Sequence, residues 1–585
     1  MRGTENINLV LARRRQVCTC VLPEVRKPDR AQRGFVRILS APVGRAFAPS
    51  YLANEPAANA FFAAAFQDAD ARVARTRAAA VRGTGAELLR ILADQQAALP
   101  TSPARQRHWD ALATGKAAVV VTGQQVGLFL GPLYSFYKAA SAIAVARVLQ
   151  AESGIPCVPV FWLQTEDHDF AEIRTATVAD SDGQPVRFEL RDDQSRDSRI
   201  SVAYRTLPTQ VTELMDGLAH AVGTGPAADE VLRLLRESYR PGVALHTAFA
   251  SLLATVFADE GLLIFNPRDA RVAALAAPLY RRCIEDAPTL EAALREREAA
   301  LHAAGFDVQV PIREQGALVF FHREAATGPR FRIQRQQTQG EGGWRVAGTA
   351  DKIAHGKLLD VLASDPLRFS TSALLRPILQ DVLFPTAAYV AGPGEINYYA
   401  QLGPLYAQAN LQPPLLVPRG RFVVVDARTR RRLGQLGLSV RDVGTPGHEL
   451  RAQVQELPEG APSVDDLRWL VATQIAPTIE QIASAAERPG LNLQRAAQRT
   501  RKSVAHAIDR LIARYAHGLL ERDTVTRCRL RAVELALFPN GVPQERVYAW
   551  PWLAARLGAS VFKDLVMQRL ASAGPFATEV HELSP

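Results

Sequence analysis

Residues 117–172 constrain the fold more than any other part of this chain. An apolar, β-branched run at 117–122 leads through a glycine-containing turn into a helix-like segment at 133–150. A second apolar run, at 158–163, follows after a glycine and a proline. Strand, turn, helix and strand in this order predict a βαβ unit with two parallel strands.

Polar residues directly follow both predicted strands. The turn after the first strand contains Gly123, Gln124, Gln125, Gly127 and Gly131, and the second strand runs into Glu166, Asp167, His168 and Asp169. In parallel sheets, ligands bind beyond the carboxyl ends of the strands. We therefore expect both groups of residues at the same edge of one sheet.

The glycine turn matches neither common phosphate-binding motif. It lacks the G-x-G-x-x-G spacing of dinucleotide-binding turns, and no Gly-Lys-Ser/Thr follows as in a P-loop. Free N–H groups at the start of the next helix would nevertheless suit an anion, and Lys138 would add a positive charge. The alternative is a tight turn whose glycines permit close helix–sheet packing.

The acidic cluster predicts acid–base chemistry. Carboxylates this close disfavour full ionisation, so one pKa is expected to rise, and His168 is a candidate acid–base group. The alternative is a helix start capped by acids, with His168 in solvent. No second histidine lies nearby to complete a zinc site, so we predict no bound metal.

A third cluster has the same arrangement of a strand, glycines and a helix start. A predicted strand at 386–391 is followed by two glycines and a helix, which would aim Gly394 and Glu395 at an amine or hydroxyl group. Arg376 would bind a carboxylate through two parallel hydrogen bonds. The alternatives are a glutamate that merely stabilises the helix dipole and an arginine in a surface ion pair.

Charge and composition narrow the class of protein. The chain has a net charge of +10, but residues 1–45 carry ten Arg/Lys against three Asp/Glu, so the remainder is nearly balanced and no nucleic-acid face is expected. No apolar run approaches the length of a membrane span. Five scattered cysteines do not indicate a disulfide framework. We expect a cytoplasmic protein without membrane contact.

Changes in residue pattern predict the domain organisation. After a disordered or wrongly assigned extension, a core in three parts is interrupted by two β-rich insertions and followed by a helical arm. The predicted boundaries are 1–45 (extension), 46–175, 251–300 and 356–428 (core), 176–250 and 301–355 (insertions), 429–542 (arm) and 543–585 (a tail packed on the core). In the arm, Val504, Ile508, Leu511, Tyr515 and Leu519 recur at coiled-coil spacing, within one long helix predicted at 491–537.

Three long motifs resemble the BshC family, the cysteine ligases of bacillithiol biosynthesis. They are 122–134 (TGQQVGLFLGPLY), 159–170 (PVFWLQTEDHDF), and 375–381 (LRPILQD) with 389–396 (YVAGPGEI). The resemblance implies an α/β fold with a Rossmann-like parallel-sheet core, two inserted connecting segments and a long α-helical coiled-coil hairpin that forms a homodimer. It adds Tyr134 to the candidate binding residues.

The resemblance also implies a reaction, in which L-cysteine is joined to glucosaminyl-malate through an amide bond. Amide formation from a free carboxylate needs activation, so ATP or another nucleotide is expected, with Mg²⁺ as its usual companion. The glycine turns and Lys138 would hold anionic groups, Arg376 a malate or cysteine carboxylate, and residues 166–169 the amine. The alternatives are a non-catalytic nucleotide- or thiol-responsive binding protein, and a nucleotidyl-transferase with another small substrate.

Overall fold

The computed structural model describes residues 45–191, 197–336, 343–443, 462, 466–467, 469, 471–487, 493–520 and 523–585. The predicted extension at 1–45 therefore lies outside the described residues, apart from Arg45.

Fourteen strands occur in these residues. They are β1 (Ala118–Gln124), β2 (Cys157–Leu163), β3 (Thr175–Ala179), β4 (Pro185–Glu189), β5 (Leu263–Phe265), β6 (Gly316–His322), β7 (Arg330–Gln336), β8 (Gly343–Val346), β9 (Lys352–Ala354), β10 (Phe369–Thr371), β11 (Thr386–Ala391), β12 (Leu415–Pro418), β13 (Arg421–Val424) and β14 (Val580–Leu583).

Twenty-four α-helices occur in the same part of the chain. They are α1 (Phe47–Leu52), α2 (Pro56–Asn59), α3 (Ala69–Arg82), α4 (Ala86–Ala97), α5 (Pro103–Ala113), α6 (Leu133–Ser153), α7 (Phe170–Ile173), α8 (Gln210–Val222), α9 (Pro226–Ser238), α10 (Leu245–Val256), α11 (Ala270–Glu285), α12 (Ala287–Ala303), α13 (His355–Ser364), α14 (Arg376–Leu383), α15 (Pro393–Tyr399), α16 (Gly403–Gln408), α17 (Ala427–Gln435), α18 (Val440–Val443), α19 (Ala476–Glu487), α20 (Gln494–Leu520), α21 (Thr524–Leu537), α22 (Gln544–Val547), α23 (Pro551–Leu557) and α24 (Ala559–Ala573).

A five-stranded parallel sheet forms the centre, in the order β12–β11–β1–β2–β5. The predicted βαβ unit is β1–α6–β2, with Val119 opposite Val158. Every residue of β2 is buried, and so is every residue of β1 before Gln124, which explains why their sequences are apolar runs without alternation. The chain moves outward from β1 to β2 and β5, then returns to β11 on the other side of β1. This reversal opens a crevice between the carboxyl ends of β1 and β11.

The two insertions differ in secondary structure. The second contributes β6 to β9 to an antiparallel sheet, as its short alternating strands predict, and the edge strand β10 comes from the segment predicted as the third part of the core. The first begins with the β3–β4 hairpin, but continues as a 3₁₀ turn at Val202–Tyr204 and the helices α8, α9 and α10. The alternating, Arg- and Asp-rich stretch after the hairpin therefore adds no further strand among the described residues.

The arm departs from the predicted long helix. Helix α20 ends at Leu520, and Asp523 has extended backbone angles and caps α21 by accepting hydrogen bonds from the N–H groups of Val525 and Thr526. Ile512 is buried against Ile508 and Leu467, whereas Leu511 is 66% exposed. The apolar seam thus includes Ile512 in place of Leu511. The side chain of Leu519 lies outside the described residues.

The tail packs on the core. Strand β14 pairs in parallel with β13, and Phe562 of α24 stacks on Phe136 of α6, with ring centroids 4.9 Å apart. The tail therefore lies against the helix that follows the glycine turn, close to the crevice.

Candidate functional site

A cavity of about 540 Å³ opens at the carboxyl ends of β1, β2 and β11. Its size falls within the range of small-molecule binding sites. Ten of the fourteen predicted site residues line it, namely Gln124, Gln125, Tyr134, Lys138, Glu166, Asp167, His168, Arg376, Gly394 and Glu395. The remaining four, Gly123, Gly127, Gly131 and Asp169, lie outside its wall.

The loop after β2 supplies the acidic end of the cavity, which we define as Glu166, Asp167 and the nearby Arg330. Glu166 is buried, and its Oε2 accepts a 2.5 Å hydrogen bond from Thr371 Oγ1. Asp167 accepts one from Gln125 Nε2 at 2.7 Å. Burial alone would raise the pKa of Asp167, but hydrogen bonds from His168 and the charge of Arg330 hold it well below its ordinary value. Asp167 is therefore a carboxylate at neutral pH.

The other two members of the predicted acidic cluster behave differently. His168 places Nδ1 3.4 Å from Asp167 Oδ1, at the cavity wall. Asp169 is exposed and caps α7 by accepting from the Glu172 N–H, as the capping alternative predicts. A raised carboxyl pKa occurs instead at Glu172, a cavity residue outside the predicted set. Partial burial of its carboxyl group raises this pKa, and the nearby carboxylates Asp167 and Asp169 add to the effect.

The ammonium group of Lys138 has three partners within the protein. Its ammonium group donates to the Gly123 carbonyl at 2.6 Å and to Gln124 Oε1 at 3.1 Å, and it forms an ion pair with Glu395. An ammonium group has three donors, so none is left for a ligand. Burial lowers the pKa of Lys138, and Glu395 opposes that effect. The expectation that Lys138 holds a substrate anion is replaced by a buried Lys–Glu pair.

Glu395 is likewise occupied. It accepts from Tyr389 Oη at 2.5 Å and from the Gly392 N–H at 2.8 Å, in addition to Lys138. The bond to Gly392 belongs to a capping box at the start of α15. Although burial would raise the pKa of Glu395, Lys138 and Arg376 lower it. The capping alternative therefore describes Glu395 better than direct contact with a substrate amine.

Arg376 has only uncharged hydrogen-bond partners. It is buried at the start of α14, where it donates to Gln380 Oε1 at 3.0 Å and to the hydroxyls of Tyr389 and Tyr398 at 3.2 and 3.0 Å. No described carboxylate forms an ion pair with it. An arginine in the cavity wall that donates no hydrogen bond to a carboxylate is suited to binding an anion.

The two glycines of the turn and the first residue of α6 use their N–H groups internally. Gly127 N–H donates to Gln125 and Gly131 N–H to Leu128, while Leu133 N–H, at the start of α6, donates to the Tyr548 carbonyl. A Cβ on Gly127 would lie 2.8 Å from the Gly131 Cα. The turn therefore serves close packing, which is the alternative that the sequence left open, and its glycines do not reach the cavity.

Several cavity residues carry no sequence motif that would have found them. Arg330 comes from β7 of the second insertion, and Arg419 follows β12. Arg419 pairs with Glu545 of the tail through two hydrogen bonds, at 2.8 and 2.5 Å. Arg546 lies over the Tyr134 ring, 5.7 Å from its centroid. Burial raises the pKa of Tyr134 to about 12, so its hydroxyl remains a hydrogen-bond donor at neutral pH.

The cavity is electrically polarised. Its acidic end has one more carboxylate than cations. We define the basic end as the lining residues Lys138, Arg376, Glu395 and Arg419, together with Glu545, the ion-pair partner of Arg419; this set has one more cation than carboxylates. Glu172 and Arg546, which have opposite charges, also line the cavity and belong to neither end. Strands β2 and β11, which lead to the loops of the two ends, flank β1 and are therefore about 10 Å apart. This arrangement fits a ligand, or two adjoining ligands, with an amine at one end and an anionic group at the other.

Comparison with known proteins identifies the family. The N-terminal Rossmann-like domain of bacillithiol biosynthesis BshC matches residues 36–420, and the C-terminal coiled-coil domain of BshC matches residues 422–577. This chain belongs to the BshC family. Membership confirms the Rossmann-like core and the coiled-coil arm and places the chain among the ligases of bacillithiol biosynthesis.

Curated BshC relatives match over most of their length. "Putative cysteine ligase BshC" of Salinibacter ruber is 32% identical over 86% of this chain and 90% of the relative. Proteins of the same description from Koribacter versatilis and Heliobacterium modesticaldum are 31% and 33% identical, over 80% and 78% of this chain and 85% and 82% of theirs. A solved arginyl-tRNA synthetase-like chain from Campylobacter jejuni is 8% identical and covers 79% of this chain and 99% of its own, but its TM-score of 0.21 is too low to bear on the fold.

The described residues present neither a cluster of metal ligands nor a membrane-spanning helix. Within the described ranges, no group of three or more His, Cys, Asp and Glu side chains is arranged to hold a metal ion. None of the described helices combines the length and apolarity required to cross a bilayer.

Proposed function

We propose that this BshC-family chain joins the carboxyl group of L-cysteine to the amine of glucosaminyl-malate, forming an amide. The observation that carries the proposal is the polarised cavity at the crevice of the parallel sheet, combined with family membership. Both substrates combine an amine with carboxylates, and the cavity offers a complementary end to each group.

In this proposal, cationic and anionic side chains bind different groups of the substrates. Arg376, whose partners are all uncharged, binds a carboxylate of malate or cysteine. Asp167, which is ionised, orients the substrate amine, and His168 beside it is placed to take the proton that the amine releases. Lys138 and Glu395 form an ion pair that stabilises the structure of the basic end, and neither contacts substrate.

A nucleotide is the proposed energy source. A free carboxylate is a poor acyl donor, and ATP supplies a phosphoryl or adenylyl leaving group that makes it reactive. The cavity volume and the cationic side chain of Arg546 in its wall fit a phosphate-bearing molecule. Because the N–H groups of Gly127, Gly131 and Leu133 are used internally, phosphate contacts are assigned to the Arg546 side chain.

The test is a reaction of purified protein with glucosaminyl-malate, cysteine, ATP and Mg²⁺, analysed by mass spectrometry for product, AMP and ADP. We expect a product with the mass of bacillithiol. AMP as co-product supports an adenylate, whereas ADP supports an acyl phosphate. Well-folded protein that binds ATP but yields no product would contradict the ligase and favour the binding-protein alternative. Turnover with another amine from a substrate panel would favour the nucleotidyl-transferase.

A variant of Arg376 tests the assignment of the basic end. Arg376→Gln removes a charge-assisted contact worth about 1.5–3 kcal/mol, so we expect KM for one carboxylate substrate to rise roughly 10- to 100-fold. Arg281→Gln, on the outer face of α11, is the matched control and should leave KM unchanged. Equal KM values in Arg376→Gln and wild type would show that Arg376 does not bind a substrate carboxylate.

We also propose that the arm forms a homodimer. Trp469, Ile482 and Leu511 are large apolar side chains that are 67%, 63% and 66% exposed in the arm. Exposed apolar surface of this kind on a coiled-coil hairpin is typical of an association surface.

A further inference from the structure

One arginine from the second insertion ties together two loops at the acidic end of the cavity. Arg330, the first residue of β7, is only 5% exposed. Its guanidinium donates to the carbonyl of Glu166 and, at 3.0 Å, to the carbonyl of Thr371. Its Cζ lies 3.9 Å from the centroid of the Phe320 ring, which supports it from below.

Thr371 links the same two loops through its side chain and its amide. Its hydroxyl donates to Glu166 Oε2 at 2.5 Å, and its N–H donates to the same oxygen at 3.3 Å. Two hydrogen bonds therefore join the loop after β2 directly to the end of β10, and the two from Arg330 bridge the same segments. We call this set of three residues, Arg330, Glu166 and Thr371, the clamp.

The clamp connects the groups proposed to hold the two reacting partners. The loop after β2 carries Asp167, and the segment after β10 leads within five residues to Arg376. The main chain around the first loop is also fixed, because the carbonyls of Asp167 and Thr165 accept from Val202 and Ala203 N–H. Displacing the clamp would change the separation between Asp167 and Arg376.

The clamp is an unusual way to satisfy a buried arginine. Among the described residues no carboxylate lies within ion-pair distance of Arg330, and its Nε is buried without a hydrogen-bond partner. Burying a charge with incomplete pairing costs stability, which an apolar side chain of similar volume would avoid. Arrangements that sacrifice stability in this way concentrate at functional sites.

We propose that Arg330 is a positioning residue, which acts with Thr371 to hold Asp167 and Arg376 at the spacing required for the amine to meet the carboxyl group. The inference rests on the ligase function proposed above. It gives the second insertion a direct part in the reaction, because no residue of the central sheet supplies this contact.

Four variants test the clamp. Arg330→Ala removes the two hydrogen bonds of the guanidinium. Arg330→Lys keeps the positive charge but cannot donate to both carbonyls in the same way. Thr371→Val removes the hydroxyl bond while keeping the side-chain shape. Arg345→Ala, an exposed arginine on the neighbouring strand β8, is the control. We expect Arg330→Ala to lower kcat about 100-fold, the order expected for a 1 Å misplacement of reacting groups, with little change in KM.

Chemical rescue separates positioning from a general loss of structure. Guanidinium ion added at non-denaturing concentration should restore much of the kcat lost in Arg330→Ala, because it can occupy the vacated space over Phe320. It should not restore Arg330→Lys, whose side chain fills that space. Thr371→Val should lower kcat in the same direction, and Arg345→Ala should match wild type.

The inference is overturned if folded Arg330→Ala retains wild-type kcat, or if kcat is lost but guanidinium does not restore it. Wild-type protein without ligation product would instead refute the ligase function. In that case amide hydrogen exchange still tests the clamp, since the Thr371 N–H should exchange faster in Arg330→Ala than in Arg345→Ala. Equal exchange in those two variants would also overturn it.

Discussion

At the scale of the residue, the buried pair of Lys138 and Glu395 shows how a sequence motif can be structural while lining a site. Lys138 is 2% exposed, and its partners come from β1 and from the start of α15. The pair therefore fixes the carboxyl ends of β1 and β11 relative to each other. Removing one partner leaves an uncompensated buried charge.

Lys138→Met should lower the free energy of unfolding by about 3–5 kcal/mol, the usual cost of leaving one member of a buried ion pair unpaired. The double variant Lys138→Met/Glu395→Gln should recover part of this loss. Urea unfolding measures both, and Lys357→Met, at an exposed position of α13, is the helical lysine control. A loss in Lys138→Met no larger than in the control would contradict the pairing.

The lowered pKa of Asp167 predicts that the free energy of unfolding depends on pH in the acidic range. Its pKa is lowered in the folded protein, whereas an unfolded Asp titrates near ~3.9. Its stabilising contribution is therefore complete above the unfolded pKa and is lost as the pH falls below about 4 towards the folded value. Unfolding free energies measured from pH 7 to pH 3 should fall less steeply in Asp167→Asn than in wild type. Parallel curves would show that Asp167 is not held ionised.

At the scale of the element, the turn between β1 and α6 combines two close glycines with two bulky residues in left-handed conformations. Phe129 and Leu130 have φ of 53° and 68°, and both are buried. The Tyr239 hydroxyl accepts from Leu130 N–H at 3.1 Å and lies 3.3 Å from the Gly127 carbonyl. Such backbone strain persists only where the surroundings enforce it.

Gly131→Ala should destabilise the protein by about 1–3 kcal/mol, because Gly131 has φ of +62° and ψ of −160°, a region that is essentially limited to glycine. Gly127→Ala should also destabilise, since its Cβ would collide with Gly131. Gly434→Ala, in α17 with open space around it, is the control and should be neutral or slightly stabilising. Thermal unfolding distinguishes these outcomes, and an unchanged midpoint in Gly131→Ala would contradict the strained geometry.

At the scale of the whole molecule, the chain builds one site from distant segments. The core supplies the sheet edge, the second insertion supplies Arg330, and the tail that returns from the arm supplies Glu545 and Arg546. The arm's exposed apolar residues form the surface that we propose for association with a second copy.

Sedimentation velocity should therefore show a species of twice the 63.8 kDa chain mass. Ile482→Lys combined with Leu511→Lys should shift it to the monomer, because charges would be buried in the interface. Val81→Lys, at an 88% exposed apolar position of α3, is the control and should leave the dimer intact. A wild-type monomer at all concentrations would contradict the proposal.

The sequence determined the local elements and the edge of the sheet where polar residues gather. Short apolar, β-branched runs bounded by glycine and proline indicate buried strands, so β1, β2 and β11 and the direction of their carboxyl ends followed from the sequence pattern. The three motifs also determined the family, which the domain matches confirm. The break before α21 was missed because Asp523 caps a helix inside an otherwise helical pattern.

Only the tertiary structure decided which polar groups are free to meet a ligand. Lys138, Glu395 and the N–H groups of Gly127 and Gly131 are of types that often bind ligands. In the folded protein, each of them has a partner within the chain. Arg330, Arg419 and Arg546 stand in segments without a motif and reach the cavity through folding. Sequence spacing specifies which residues share an element, whereas the pairing of charges depends on contacts between elements hundreds of residues apart.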